Sequence, residues 1–111
     1  FAGTRFHSTV TFDDADQMPR LGRFLYGDWL APTAVEPVRT DAGFQTAAAG
    51  YCDTRGNRHH RQVRLSDTTL TCIDTIGGSF GRATLRWRLP PGHWTIDNAR
   101  VSGEGLALAI E

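Results

Sequence analysis

The chain has no lysine. All of its 12 basic residues are arginines, set against 12 acidic residues for a formal charge of zero. That balance excludes the basic footprint of a nucleic-acid or membrane-surface protein, so neither partner is expected. No apolar run approaches the ~20 residues of a helical membrane span. There is no glycine-rich phosphate loop, CxxC pair, HExxH or GxSxG segment. The short motifs of nucleotide binding, thiol redox chemistry, zinc proteolysis and α/β-hydrolase catalysis are therefore missing. No secretory leader is visible. The chain starts at Phe1 rather than methionine, and it is expected to be a piece of a longer protein or a processed product. The exclusive use of arginine reflects either GC-rich codon usage or a preference for the guanidinium fork, which grips carboxylates and sulfates bidentately.

At 111 residues the chain is long enough for a single domain, residues 1–111, that buries roughly two-thirds of its unfolded surface without staples. Strand-like runs fall at about 4–12, 33–39, 43–52, 59–66, 68–75, 81–89, 93–97 and 105–111. Turn signals separate them at Asp41-Ala42-Gly43, Asp53-Thr54-Arg55-Gly56-Asn57, Ser66-Asp67, Gly77-Gly78, Pro90-Pro91-Gly92 and Gly103-Glu104-Gly105. This spacing predicts an all-β fold, an antiparallel β-sandwich with almost no helix. The apolar alternation predicts Val63, Leu65, Leu70, Cys72, Leu85 and Trp87 as core. It also gives 81–89 an outer face of Arg82, Thr84, Arg86 and Arg88, read as a solvated face rather than a groove. Residues 17–30 do not alternate. They are expected to form a long loop with one helical turn at most, its Phe24, Leu25, Tyr26 and Trp29 plugging one end of the sheets. Cys52 and Cys72 each lie in an expected strand, as two buried thiols or as a disulfide.

Three constellations carry potential chemistry. In the first strand, Phe6, Ser8, Val10 and Phe12 share one side at period two and His7 lies on the other, with Asp13, Asp14 and Asp16 close behind. Imidazole and carboxylate suit zinc and similar ions. In an extended chain, however, His7 and Asp13 lie roughly 20 Å apart, so they do not chelate together without a fold-back. The second is Arg58-His59-His60-Arg61-Gln62-Val63-Arg64, a basic strand start. His59 and Arg61 share one face there and His60 and Arg64 the other, and the segment suits an acidic sugar or a solvated strand end alike. The third is aromatic: Trp87 reads as core, and Trp94 as core or as a sugar platform. No self-contained catalytic set is visible.

His7-Ser8-Thr9-Val10 followed by Asp16-Gln17 resembles the His-Asn-Thr-Val and Asp-x-Gln segments of the heparinase II/III-like polysaccharide lyases. The likeness continues through Gly50-Tyr51, His60-Arg61-Gln62-Val63, Leu70 to Asp74, Gly77-Gly78, Ala83 to Trp87 and Leu89-Pro90-Pro91-Gly92. Each motif is short, and their order is what makes them specific. Ser8 stands where the family has asparagine. The resemblance implies the C-terminal β-sheet region of a bacterial, periplasmic or secreted protein whose upstream part is a helical toroid. Such proteins cleave uronate-containing polysaccharides by β-elimination, with acid and base residues carried largely on the toroid. It therefore implies no catalytic residue in this chain. His60 and Arg61 of the basic strand start are the expected sugar contacts; of the site residues the resemblance carries over only His7, in a metal-site role toward a zinc or calcium ion in the parent, with no ion held by the fragment. The implied partners are an acidic polysaccharide and the toroid domain. The competing readings are a non-catalytic carbohydrate-binding or structural β-sandwich module, and an assembly module with an exposed sheet edge.

Overall fold

Turn chemistry sets the sheet. A computed structural model of the chain describes residues 3–18, 21–23, 25, 27 and 30–111. Among them it forms a 3-10 turn (Thr4–Phe6) and the strands β1 (Val10–Phe12), β2 (Ala31–Asp41), β3 (Phe44–Cys52), β4 (Arg58–Leu65), β5 (Leu70–Gly77), β6 (Ala83–Leu85), β7 (Thr95–Asp97), β8 (Arg100–Gly103) and β9 (Leu106–Ala109). The β2–β3 hairpin turns on Ala42 and Gly43, both at positive φ (40° and 83°), the pair of left-handed residues that a two-residue loop needs to follow the strand twist. The β3–β4 turn is closed by Asp53 N–H donating to the Asn57 carbonyl at 2.8 Å, and the β4–β5 turn by Ser66 N–H donating to Thr69 at 2.9 Å.

The result is an antiparallel sheet in the order β2-β3-β4-β5, beside a β1–β6 ribbon and a β7-β8-β9 meander. The fold is the expected all-β antiparallel sandwich, in which the β1–β6 ribbon packs on one face of the large sheet. Tyr51 and Arg61 of that face bond to the Val10 and Ser8 carbonyls, and the Arg61 guanidinium lies 4.5 Å from the Trp87 ring centre. β2 lies at an edge and is exposed along its whole length. An edge is where Pro32 and Pro37, which lack an N–H to donate, are tolerated. Its register slips between Pro32 and Ala34 and again between Glu36 and Arg39.

Four expectations need correction. The run 4–12 is a strand only from Val10, because Asp16 Oδ1 accepts from Thr4 N–H at 2.7 Å and Thr4 Oγ1 accepts from Gln17 N–H at 2.8 Å. Those bonds hold the start as a 3-10 turn. The run 81–89 shortens to β6 because its partner strand is short; beyond it single bonds remain, Asp13 N–H to the Arg82 carbonyl, Arg86 N–H to the Thr9 carbonyl and Arg88 N–H to Ser8 Oγ. β8 was not expected, as Arg-Val-Ser-Gly holds one large apolar residue and gives no alternation. The predicted core is the largest correction. Val63, Leu65, Leu70 and Cys72 do share one face through the Leu65–Leu70 and Val63–Cys72 pairs. Yet Leu65 is 46% and Leu70 56% exposed, Leu85 lies at the surface, and Val63, Cys72 and Trp87 are half-buried. The ribbon is too small to cover the whole face, and the buried hydrophobic residues are instead Val10, Phe12 and Ala48. Of the aromatic plug, Phe24, Tyr26 and Trp29 lie outside the described residues, and Leu25 is 61% exposed.

Phe12 is 1% exposed and its ring packs at 4.8 Å, tilted, on Phe80. Phe12→Ala is expected to cost about 3–5 kcal/mol, and Leu70→Ala less than ~1 kcal/mol. Urea unfolding of the two variants checks both; equal losses would restore the sheet face as the core.

Candidate functional site

The chemistry-bearing side chains gather where the ribbon meets the large sheet. Register brings them together: Tyr51 pairs with His59 across β3–β4, and Arg61 pairs with Asp74 across β4–β5. The Asp74 carboxylate accepts from His59 Nε2 at 2.7 Å, from Arg61 Nε at 2.7 Å and from Arg61 Nη2 at 3.0 Å. The remaining arm of the guanidinium, Nη1, donates to the Ser8 carbonyl at 2.8 Å. The His59 ring, buried at 4% exposure, meets the Tyr51 ring edge-on at 5.4 Å between centres. The Tyr51 hydroxyl donates to the Val10 carbonyl at 3.0 Å and accepts from the Gln17 amide.

Electrostatics follow from these contacts. Burial raises the Asp74 carboxyl, but the bonds from Arg61 and His59 outweigh it and hold the group below the usual carboxylate range. Asp53 behaves alike: burial raises it, and bonds from Asn57 and Arg55 carry it lower. Burial pushes the Tyr51 phenol up, against its hydrogen bonds with Thr9 and Gln17. A phenol held protonated and already hydrogen-bonded is a poor base. The Asp74 carboxylate, the Arg61 guanidinium, His59 Nε2 and the Tyr51 hydroxyl are each bonded to another part of the fold, and together they clasp two layers.

The sequence-predicted site residues separate. Arg61 belongs to the clasp. His60 lies on the opposite face of the sheet, half-buried over Gly50, where its Cδ2 is 3.2 Å from the place a Cβ would take. The two do not meet in one subsite. His7 is exposed, outside any strand. The acidic turn does not join it: Asp13 Oδ1 accepts from the Gly81 and Arg82 amides, Asp14 pairs with the Arg82 and Arg86 guanidinium groups, and Asp16 caps Thr4. Among the described residues no three His, Cys, Asp or Glu side chains come together as metal ligands. The arginine stripe of 81–89 is partly paired through Asp14 rather than open. Cys52 and Cys72 are free thiols. Cys52 lies opposite Arg58, whose β5 partner is Gly77, five positions from Cys72, a strand distance of roughly 16 Å that no disulfide spans.

The Tyr51–His59–Asp74 arrangement is not legible as a set in the sequence, because its members lie on three different strands. The signal was present in the turn at Asp53–Asn57, which sets Tyr51 and His59 opposite each other.

A family model described as heparinase II/III-like, C-terminal, matches residues 1–109. No curated protein and no solved structure matches.

Because the Asp74 and Asp53 carboxyls lie below their unfolded value of about 3.9, the folded state holds fewer protons than the unfolded one as pH falls. Their stabilisation is complete above about pH 5 and is lost as pH drops through the folded values. Asp74→Asn should remove most of this acid sensitivity at its site and cost about 3 kcal/mol at neutral pH, since it leaves Arg61 without its counter-charge. Urea midpoints measured from pH 3 to 7 check both statements. A variant as stable as wild type at pH 7 would show that the clasp is not a structural tie.

Proposed function

We propose, for a chain that belongs to the heparinase II/III-like C-terminal family, that it serves as the β-sandwich portion of a polysaccharide lyase acting on uronate-containing polymers. The observation that carries this reading is the family match over residues 1–109. Two features of the fold support it. The first is the all-β architecture, with its titratable clasp turned inward. The second is the apolar surface of the clasp face that the ribbon leaves uncovered, with Leu65 at 46% and Leu70 at 56% exposure at its far end and Val35 at 71% on the edge strand; the helical toroid of the longer protein is the part proposed to pack there.

In β-elimination a base takes the proton at C5 of the uronate. The electron pair forms a C4–C5 double bond, and the bond from C4 to the glycosidic oxygen breaks, the oxygen leaving with a proton from an acid. The step needs a base near C5 and an acid near O4 in one cleft. Tyr51 and His59 do not offer that pair, since they are committed to Val10, Gln17 and Asp74. The acid and base are therefore assigned to the upstream part. Of the residues expected to touch sugar, His60 stands on the open face, and Arg61 contributes by holding the two layers together. His7 is proposed as one donor to a zinc or calcium site completed by residues outside this chain. The longer protein is proposed to be bacterial and to meet its polymer in the periplasm or outside the cell.

Elimination creates an unsaturated uronate that absorbs in the ultraviolet. The purified chain should give no absorbance growth on any uronate polymer, whereas the longer protein should. Steady growth with the chain alone, abolished by His7→Ala, would place the catalytic machinery here and overturn the assignment. Metal analysis of the purified chain should give well under one equivalent of zinc; a full equivalent lost in His7→Ala would mean that the chain builds its own site.

A further inference from the structure

The face of the large sheet opposite the clasp carries a groove of about 460 Å³ that crosses three strands. It is lined by Phe44 and Thr46 of β3, Gln62 and Arg64 of β4, and Thr71 and Ile73 of β5. Register explains the grouping. Thr46, Arg64 and Thr71 stand in one row across the sheet, and Gln62 and Ile73 in the next, with strands about 4.8 Å apart. The groove's size falls in the range of small-ligand sites.

Arg64 is the one charged side chain in the lining. Alternation sends Asp74 to the clasp face, and the carboxylates on the groove's side stand outside it on the edge strand, Asp41 opposite Phe44 and Glu36 opposite Ala48. Arg64 makes no ion pair with the described residues, in contrast to Arg55, Arg61, Arg82 and Arg86. Its guanidinium lies 3.8 Å from the centre of the Phe44 ring. That contact restrains a long side chain without using its N–H donors. The Thr46 and Thr71 hydroxyls and the Gln62 amide also have no hydrogen-bond partner among the described residues. A restrained cation, an aromatic ring and a row of uncommitted hydroxyl and amide groups match a ligand that carries a carboxylate beside several hydroxyls.

We propose that this groove is a surface subsite for an acidic saccharide, in which the Arg64 fork binds a uronate carboxylate. Thr46, Gln62 and Thr71 bond the sugar hydroxyls, and Phe44 and Ile73 meet the apolar side of the ring. The choice of a uronate over another anion rests on the lyase reading above. The groove itself stands on the residues just named. It lies on the face of the sheet that carries His60 and away from the inward-turned clasp, so it holds polymer without taking part in bond cleavage.

Amide NMR titration of the chain with an oligogalacturonate, a neutral cello-oligosaccharide, sulfate and phosphate tests this. The oligogalacturonate should shift the amides of Thr46, Gln62, Arg64 and Thr71, and neutral sugar should not. Arg64→Gln should weaken binding by about tenfold, the loss of one charge-assisted contact. Thr71→Val, at an exposed strand position, should weaken it as well, and Arg88→Gln, outside the groove, should leave it unchanged. Three results would each overturn the proposal: no shifts at these residues, equal shifts with the neutral sugar, or sulfate or phosphate binding as tightly as the oligogalacturonate. The last would leave a bare anion site. The lyase reading fails separately. If the longer protein eliminates no uronate polymer while the chain still binds the oligogalacturonate through Arg64, that reading falls and the groove stands.

Discussion

The Asp74 carboxylate is the contact on which the two layers depend. It gathers His59 and both near arms of Arg61, and Arg61 in turn reaches the Ser8 carbonyl and lies on the Trp87 ring. One carboxylate thus ties β5 to β4 and, through a single guanidinium, ties the large sheet to the chain on either side of the ribbon. The apolar core between the layers is small, with Val10 and Phe12 as its deepest members. Hydrophobic burial brings the layers together without fixing how they sit. A hydrogen-bonded ion pair is directional and costly to leave half-made, so its value here lies in specifying one arrangement as much as in net stability.

The same device recurs around the ribbon. Tyr51 and Gln17 hold the Val10 carbonyl, and the Arg55 guanidinium donates to the Phe12 carbonyl at 3.0 Å. Asp13 and Asp14, both at positive φ, turn the chain after β1 and clamp the start of β6. Residue types that elsewhere do chemistry are used here to satisfy backbone groups that a three-residue strand leaves open. This division decides what remains for function. The polar groups of the clasp are committed to the fold, and on the opposite face Arg64, Thr46, Thr71 and Gln62 remain available.

Strand positions and the pairing of β3, β4 and β5 were legible because turn residues and alternation agreed there. The Asp53–Asn57 and Ser66–Thr69 turns set the register that places Tyr51 against His59 and Arg61 against Asp74. Burial was not legible. Leu65 and Leu70 alternate as core residues do, yet alternation reports which face a residue takes and not whether a second layer covers it. The first segment was misread for a related reason. Its period-two pattern was real, but the side chains of Asp16 and Thr4 offered the backbone a local alternative that a pattern of apolar residues does not reveal. The family likeness reached the right region because it rested on the order of many short motifs, and the family match covers nearly the same span.

Amide hydrogen exchange in Asp74→Asn tests the central claim most directly. If the carboxylate joins the layers, the amides of β1 and β6 lose protection together in this variant, while those of the β7-β8-β9 meander, which make no contact with Asp74, keep theirs. Unchanged protection in β1 and β6 would contradict the claim, and would show that packing around Phe12 alone holds the ribbon to the sheet.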